Sequence, residues 1–151
     1  MVAVEAWKDW TGAVDFRPIP VERTVFCAAC GHAGTADWIG MVAGRLTLGD
    51  YKTDGALYPE HMLQLVAYRH AATQQDLPTT AGLIVRLPKT LADPEFEFET
   101  MWVPDAVSME PFLAALRLWR WQRRAEGKPV GTTTPRPLRG AGSMRQVQIV
   151  A

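Results

Sequence analysis

Residues Pro59 to Thr73, PEHMLQLVAYRHAAT, carry apolar side chains around most of a helical circumference. A helix of that kind lies across a sheet and is not a surface decoration. Pro59 near the first helical position and Glu60 in the first turn mark its start. Strand patterns stand on both sides of it. Upstream, Val21 to Ala28 alternates with Val21, Arg23, Val25 and Cys27 on one parity, after Pro18 and Pro20 have straightened the chain. Gly31 and His32 make a turn, Ala33 to Val42 a second strand, Ala43-Gly44 a second turn, and Arg45 to Lys52 a third strand. Downstream, Ala81 to Leu87 is a short apolar run closed by Pro88, and Glu95-Phe96-Glu97-Phe98-Glu99 alternates strictly, as an edge strand with one wet face does.

The ends of the chain complete the order. Val4, Trp7 and Trp10 have helical spacing ahead of Gly12. Ser108 predicts the N-cap of a helix to about Ala125, with Phe112, Leu116 and Trp119 as its apolar stripe and Gly127 as its stop. The expected fold class is therefore α/β (α+β): short helix, three-strand meander, central helix, two further strands and a C-terminal helix. At 151 residues the chain suits one domain with a real core, over residues 1–127, followed by a basic, flexible tail over 128–151. Formal net charge is zero, yet residues 117–151 hold eight Arg or Lys against the single acid Glu126. The basic end suits phosphate and the acidic remainder suits metal. No apolar run reaches bilayer length and the first residues lack the order of a signal peptide, so the expectation is a cytoplasmic protein without membrane contact.

The chemistry gathers around Gly49-Asp50-Tyr51-Lys52-Thr53-Asp54. On a strand Asp50 and Lys52 share a face with Leu46 and Leu48, so that face is apolar at its start and charged at its end. If the second and third strands pair around Ala43-Gly44, Asp37 comes close to level with Asp50, because both stand about six residues from the turn. Two carboxylates then have one cation to share, and the lysine can stabilise a hydroxide or a crowded phosphoryl oxygen. Glu22 sits at the start of the first strand. On the helix, Gln64 and Tyr68 are four residues apart and project from one side, with His61 one turn earlier. Taken singly each has a plainer reading: a solvated turn for Asp50 and Lys52, an exposed strand acid for Asp37, a surface histidine for His61, a boundary residue for Gln64, core filler for Tyr68.

Cys27 and Cys30 form a C-A-A-C-G-H run with His32 that resembles half of a zinc knuckle. No second C-x-x-C completes four ligands, so the plainer reading is two small residues beside a hairpin turn. Trp119 and Trp121 lie among Arg117, Arg120, Arg123 and Arg124, an interleaving that suits frayed or single-stranded nucleic acid, although core packing explains Trp119 equally well.

Four stretches together, "VERTVF", "GHAGTADWIG", "LGDYKTD" and "YPEHMLQLVAYRHA", resemble the first strand, the G-x-x-D motif, the D-x-K motif and the Q-x-x-x-Y motif of the RecB-type branch of the PD-(D/E)XK nuclease superfamily, which includes phage exonucleases and CRISPR-associated RecB-like exonucleases. The resemblance covers Glu22 to Ala72. It implies a restriction-endonuclease-like core and a metal-dependent DNA nuclease, an exonuclease or end-processing enzyme. By the same resemblance Asp37 and Asp50 coordinate Mg²⁺ or Mn²⁺, Lys52 stabilises the attacking hydroxide, Gln64 and Tyr68 line the site, the Tyr51 carbonyl adds a ligand, and Glu22 matches an acid often found at the start of the first strand. Family members carry a longer helical region before that strand, so the expected ways to complete a DNA channel are a homo-oligomer or a larger assembly. Branches with an iron-sulfur cluster use four cysteines outside the core, and none is expected here. The alternative function is a nuclease-fold protein that binds DNA or a partner without cutting.

Overall fold

A computed structural model describes residues 2–90 and 97–130, except for the side chains of Pro20 and Val21. Its elements are α1 (Val2–Ala13), β1 (Phe16–Cys27), β2 (His32–Val42), β3 (Arg45–Lys52), α2 (Pro59–Thr73), β4 (Ala81–Arg86), β5 (Glu99–Trp102) and α3 (Glu110–Ala125). The strands form one sheet in the order β1-β2-β3-β4-β5. The first three make an antiparallel meander, β3 and β4 run parallel, and β5 returns antiparallel to β4. Parallel neighbours need a crossover, and α2 is that crossover. The fold is mixed α/β, with the expected element order.

Burial explains why these segments hold. Helix α1 packs Ala6 and Trp10 on one face of the sheet against Trp38, Val42, Leu83, Val85 and Leu87. Helix α2 packs Leu65, Val66, Ala71 and Ala72 on the other, against Val25, Ile39, Leu48 and Ile84. Strand β4 is buried along its whole length because neighbouring residues, Ile84 and then Val85, serve opposite faces. That is why it reads as a continuous apolar run without alternation. Each fully buried side chain of the size of Leu65 or Ile84 contributes roughly 1.5–3 kcal/mol of transfer free energy.

Several boundaries differ from expectation. Strand β1 begins at Phe16, ahead of Pro18 and Pro20, and its pairing with β2 shifts register between Pro18 and Val21. An edge strand tolerates proline because its outer N–H groups need no partner, and the shift absorbs what the ladder loses. His32 already belongs to β2, since the turn occupies residues 28–31 and Gly31, at φ +68°, makes its reversal. Ala43 and Gly44, both at positive φ, form the two-residue turn that pairs Val42 with Arg45. Of the strand expected at residues 95–99, Glu95 and Phe96 fall outside the described residues, Glu97 and Phe98 are not in a strand, and Glu99 opens β5, which pairs Glu99 with Arg86, Met101 with Ile84 and Trp102 with Leu83. Helix α1 leaves Val4 and Trp7 exposed and buries Ala6 with Trp10. The N-cap of α3 is Met109, one residue after the expected Ser108, whose Oγ accepts a hydrogen bond from the Glu110 N–H at 3.4 Å. The tail from residue 131 onward lies outside the described residues. Among the described residues no helix is long and apolar enough to cross a membrane.

Candidate metal centre at the end of β3

The register of the meander brings the acids into one row. Trp38 pairs with Gly49, so the next residues outward, Asp37 and Asp50, stand opposite each other past the last bonded pair. There the ladder gives way to a side chain: Asp37 Oδ2 accepts a 2.7 Å hydrogen bond from the Tyr51 N–H. Because a strand residue directs its N–H and its C=O to the same neighbour, the Tyr51 carbonyl faces the β2 side as well. The Tyr51 ring goes to the opposite face. It packs edge-on to Trp10, and its hydroxyl accepts from Trp7 Nε1 at 2.8 Å.

Asp50 is 4% exposed. Its Oδ2 lies 2.6 Å from the Lys52 ammonium, an ion pair between two largely buried side chains. Burial raises the Asp50 carboxyl above its ordinary value by more than the hydrogen bond and charge of Lys52 lower it; the neighbouring Asp37 charge raises it further, and His61 lowers it. Lys52 is held in place from the crossover helix, donating to Gln64 Oε1 at 2.7 Å. The amide nitrogen of Gln64 reaches Tyr68 Oη at 3.1 Å and Asp50 Oδ1 at 3.4 Å. Asp50, Lys52, Gln64 and Tyr68 are thus one connected polar network, set in a face otherwise lined by Leu48, Ile39 and Leu65. Networks of this kind are rigid when every member is satisfied and costly when one is not.

Two glycines let rings lie close to the sheet, Gly34 under Tyr68 of this network and Gly49 under Trp38 on the opposite face. A Cβ on Gly34 would lie 2.1 Å from the Tyr68 ring, and one on Gly49 would lie 1.8 Å from the Trp38 ring. Both rings therefore press directly on bare backbone.

Of the expected residues, Asp37, Asp50, Tyr51, Lys52, Gln64 and Tyr68 meet at this end of the sheet. Glu22 does not join them. The β1–β2 register sets it level with Asp37, but it is exposed, sits at φ +55° beside the register shift, and makes no hydrogen bond or ion pair within the described residues. His61 is not a surface histidine. It is buried, accepts from the Tyr58 N–H through Nδ1, and turns Nε2 towards Asp54 at 3.3 Å. The i, i+3 spacing of His61 to Gln64 and the second acid of "DYKTD" were the available signals. Arg86, paired across β4 with Lys52, is buried and donates through Nε to the Asp54 carbonyl at 2.8 Å. Nothing in a run such as AGLIVR marks its last residue for that place.

At the far end of α2, His32 directs Nε2 to the Ala67 carbonyl at 3.0 Å, and burial lowers its pKa. The histidine beside the two cysteines is His70, not the sequence neighbour His32. Helix α3 has no buried residue. Trp119 is 48% exposed beneath the Arg123 guanidinium, so it is not core, and Leu118 and Trp121 are more exposed still.

No family model and no curated protein matches this chain. Among solved structures, one described as "Crystal structure of SSO0001" aligns with a TM-score of 0.44 at 14% identity, over 85% of this chain and 58% of that one. This chain therefore spans little more than half the length of that structure.

Proposed function

We propose that this chain is a metal-dependent deoxyribonuclease of the RecB-type PD-(D/E)XK class, an exonuclease or end-processing enzyme built on a restriction-endonuclease-like core. The observation that carries the reading is the buried Asp50 carboxylate, held level with Asp37, ion-paired to Lys52 and within reach of Gln64. That donor set fits a hard divalent cation: carboxylate and carbonyl oxygens are the ligands Mg²⁺ and Mn²⁺ prefer. Asp37 and Asp50, with the Tyr51 carbonyl, would hold it. When bound, such an ion lowers the pKa of a coordinated water and offsets charge on the scissile phosphate.

The side chains have separable roles. The Lys52 ammonium stabilises the attacking hydroxide and the developing negative charge on phosphorus-bound oxygen. Gln64 fixes the ammonium by accepting its proton, which leaves the remaining N–H bonds of Lys52 for Asp50 and substrate. Tyr68 in turn accepts from Gln64, fixing which end of that amide faces the lysine. Asp37 holds the Tyr51 N–H and so sets the angle at which the strand end meets the site.

The test is degradation of end-labelled linear and covalently closed circular DNA with Mg²⁺, Mn²⁺ or EDTA, alongside Asp50→Ala and Lys52→Ala. Metal-dependent loss of linear DNA alone, abolished by Asp50→Ala, is the expected result; loss of circles as well indicates an endonuclease. Unchanged cleavage in both variants refutes the site. A second reading, DNA binding without cleavage, draws on α3, where Trp119 and Trp121 are exposed among Arg117, Arg120, Arg123 and Arg124. Salt-sensitive binding with no cleavage under any divalent metal would select it.

A further inference from the structure

The turn between β1 and β2 has a form that its length alone does not require. The Cys30 N–H donates to Cys27 Sγ at 3.2 Å, the Gly31 N–H donates to the Cys27 carbonyl at 2.8 Å, and Gly31 takes the positive φ. These bonds fix Cys27 and Cys30 on one side of the turn. Against this turn stands His70 in the last turn of α2, and the ligand atoms of Cys27, Cys30 and His70 all lie within 4.8 Å of one another. His70 Nδ1 is buried and has no hydrogen-bond partner, where buried ring nitrogens ordinarily have one. His32, although its ring lies near that of His70, turns Nε2 to the Ala67 carbonyl and stays outside the group.

We propose that Cys27, Cys30 and His70 bind one Zn²⁺ ion, with water in the fourth position. Two thiolates and an imidazole are a soft to borderline donor set, unlike the oxygen atoms of Asp37 and Asp50 at the other end of α2. The chain therefore sorts metals by chemistry, hard ions at one end of the crossover helix and zinc at the other. Binding forms two Zn–S bonds and one Zn–N bond and releases the two thiol protons to the buffer. The ion joins the β1–β2 turn to α2. It also braces α3, because Arg120 donates to the carbonyls of Cys30 and Gly31 at 3.0 and 2.6 Å and so docks α3 on the same turn.

The experiment is titration of the reduced, chelator-stripped full chain with Co²⁺ under anaerobic conditions, followed by Zn²⁺. One cobalt per chain is expected, with a near-ultraviolet thiolate-to-metal charge-transfer band that one equivalent of Zn²⁺ removes. Cys30→Ser is expected to lose most of that band, and His70→Gln to weaken binding at least about tenfold. Asp50→Asn is expected to leave it unchanged, which keeps this test apart from the nuclease reading. Absence of the band in a chain with native circular dichroism overturns the proposal, as does full affinity in His70→Gln. Alkylation provides a measurement on the unaltered chain: one equivalent of Zn²⁺ is expected to protect both cysteines, and unprotected thiols overturn the assignment.

Discussion

Gly34→Ala is the substitution in which packing and site geometry meet most directly. The added methyl would sit 2.1 Å from Tyr68 Cε1, and ordinary contact begins at 3.4 Å, so the ring must retreat by about 1.3 Å or the strand must move. Overpacking of that kind costs roughly 1–3 kcal/mol. Displacing the phenol also disturbs the Gln64–Tyr68 hydrogen bond, worth about 1 kcal/mol. Against this, alanine in place of glycine lowers the entropy of the unfolded chain and returns about 0.4–1 kcal/mol. The net expectation is a loss of roughly 1–3 kcal/mol, with Lys52 less firmly held through Gln64. In a Tyr68→Ala background the ring is gone, so Gly34→Ala is expected to be neutral or stabilising there. Urea unfolding of the four proteins in the cycle reads this as a change of sign. If Gly34→Ala cost the same in both backgrounds, the ring-on-backbone contact would not be the cause and the reasoning would fail.

Other expectations follow from the same geometry. Because burial raises the Asp50 carboxyl, the folded state holds that proton more tightly than the unfolded state does, and this group's contribution to stability falls as pH rises from 3.8 through its higher folded value. Urea midpoints of the metal-free protein against pH should show that slope, and Asp50→Asn should flatten it while abolishing cleavage. If Asp50 holds the proposed Mg²⁺, affinity should rise with pH over the same window, because metal and proton would compete for one carboxylate; a calorimetric titration at several pH values measures it. Lys52→Ala should lower the cleavage rate about 10²–10³-fold while leaving the fold intact, as single-turnover assays and circular dichroism would report. Arg120→Ala removes two hydrogen bonds to the β1–β2 turn, so amide exchange should accelerate across α3 and remain slow in β3 and β4.

How far the sequence could be read depends on where each residue's partner lies. Helix α2 was legible to its ends, because Pro59 and the apolar circumference are local signals. The level of Asp37 with Asp50 was legible too, since a two-residue turn fixes the register of a hairpin. The parallel pairing of β3 with β4 was not: it depends on the route of the crossover, which periodicity does not encode. For the same reason Arg86 and His70 were missed, and His61, seen on the stripe of Gln64 and Tyr68, was not expected to be buried. Each owes its place to a partner 7 to 43 residues away, Asp54 for His61 and Arg86 and Cys27 for His70. Glu22 shows the converse, because counting along a strand sets it beside Asp37 while a local register shift and a left-handed φ leave it in solvent. Helical spacing left Trp119 open between core packing and nucleic-acid contact; α3 docks through Arg120 and its half-buried Phe112 and Leu116 and keeps the tryptophan outside.

The parallel pairing of β3 with β4 also bears on the order in which the chain assembles. The antiparallel meander is stitched by contacts close in sequence, whereas the β3–β4 ladder spans the crossover, and loop closure makes distant contacts slow to form. The Asp37–Asp50 hairpin is therefore expected to form first, with Gln64 and its grip on Lys52 arriving when α2 settles on the sheet. Until then the two acids sit together without their full complement of partners, and divalent metal available during synthesis should speed the final closure. Pulsed hydrogen exchange during refolding would show β1–β3 protected before β4, and the interval between them shortened by Mg²⁺.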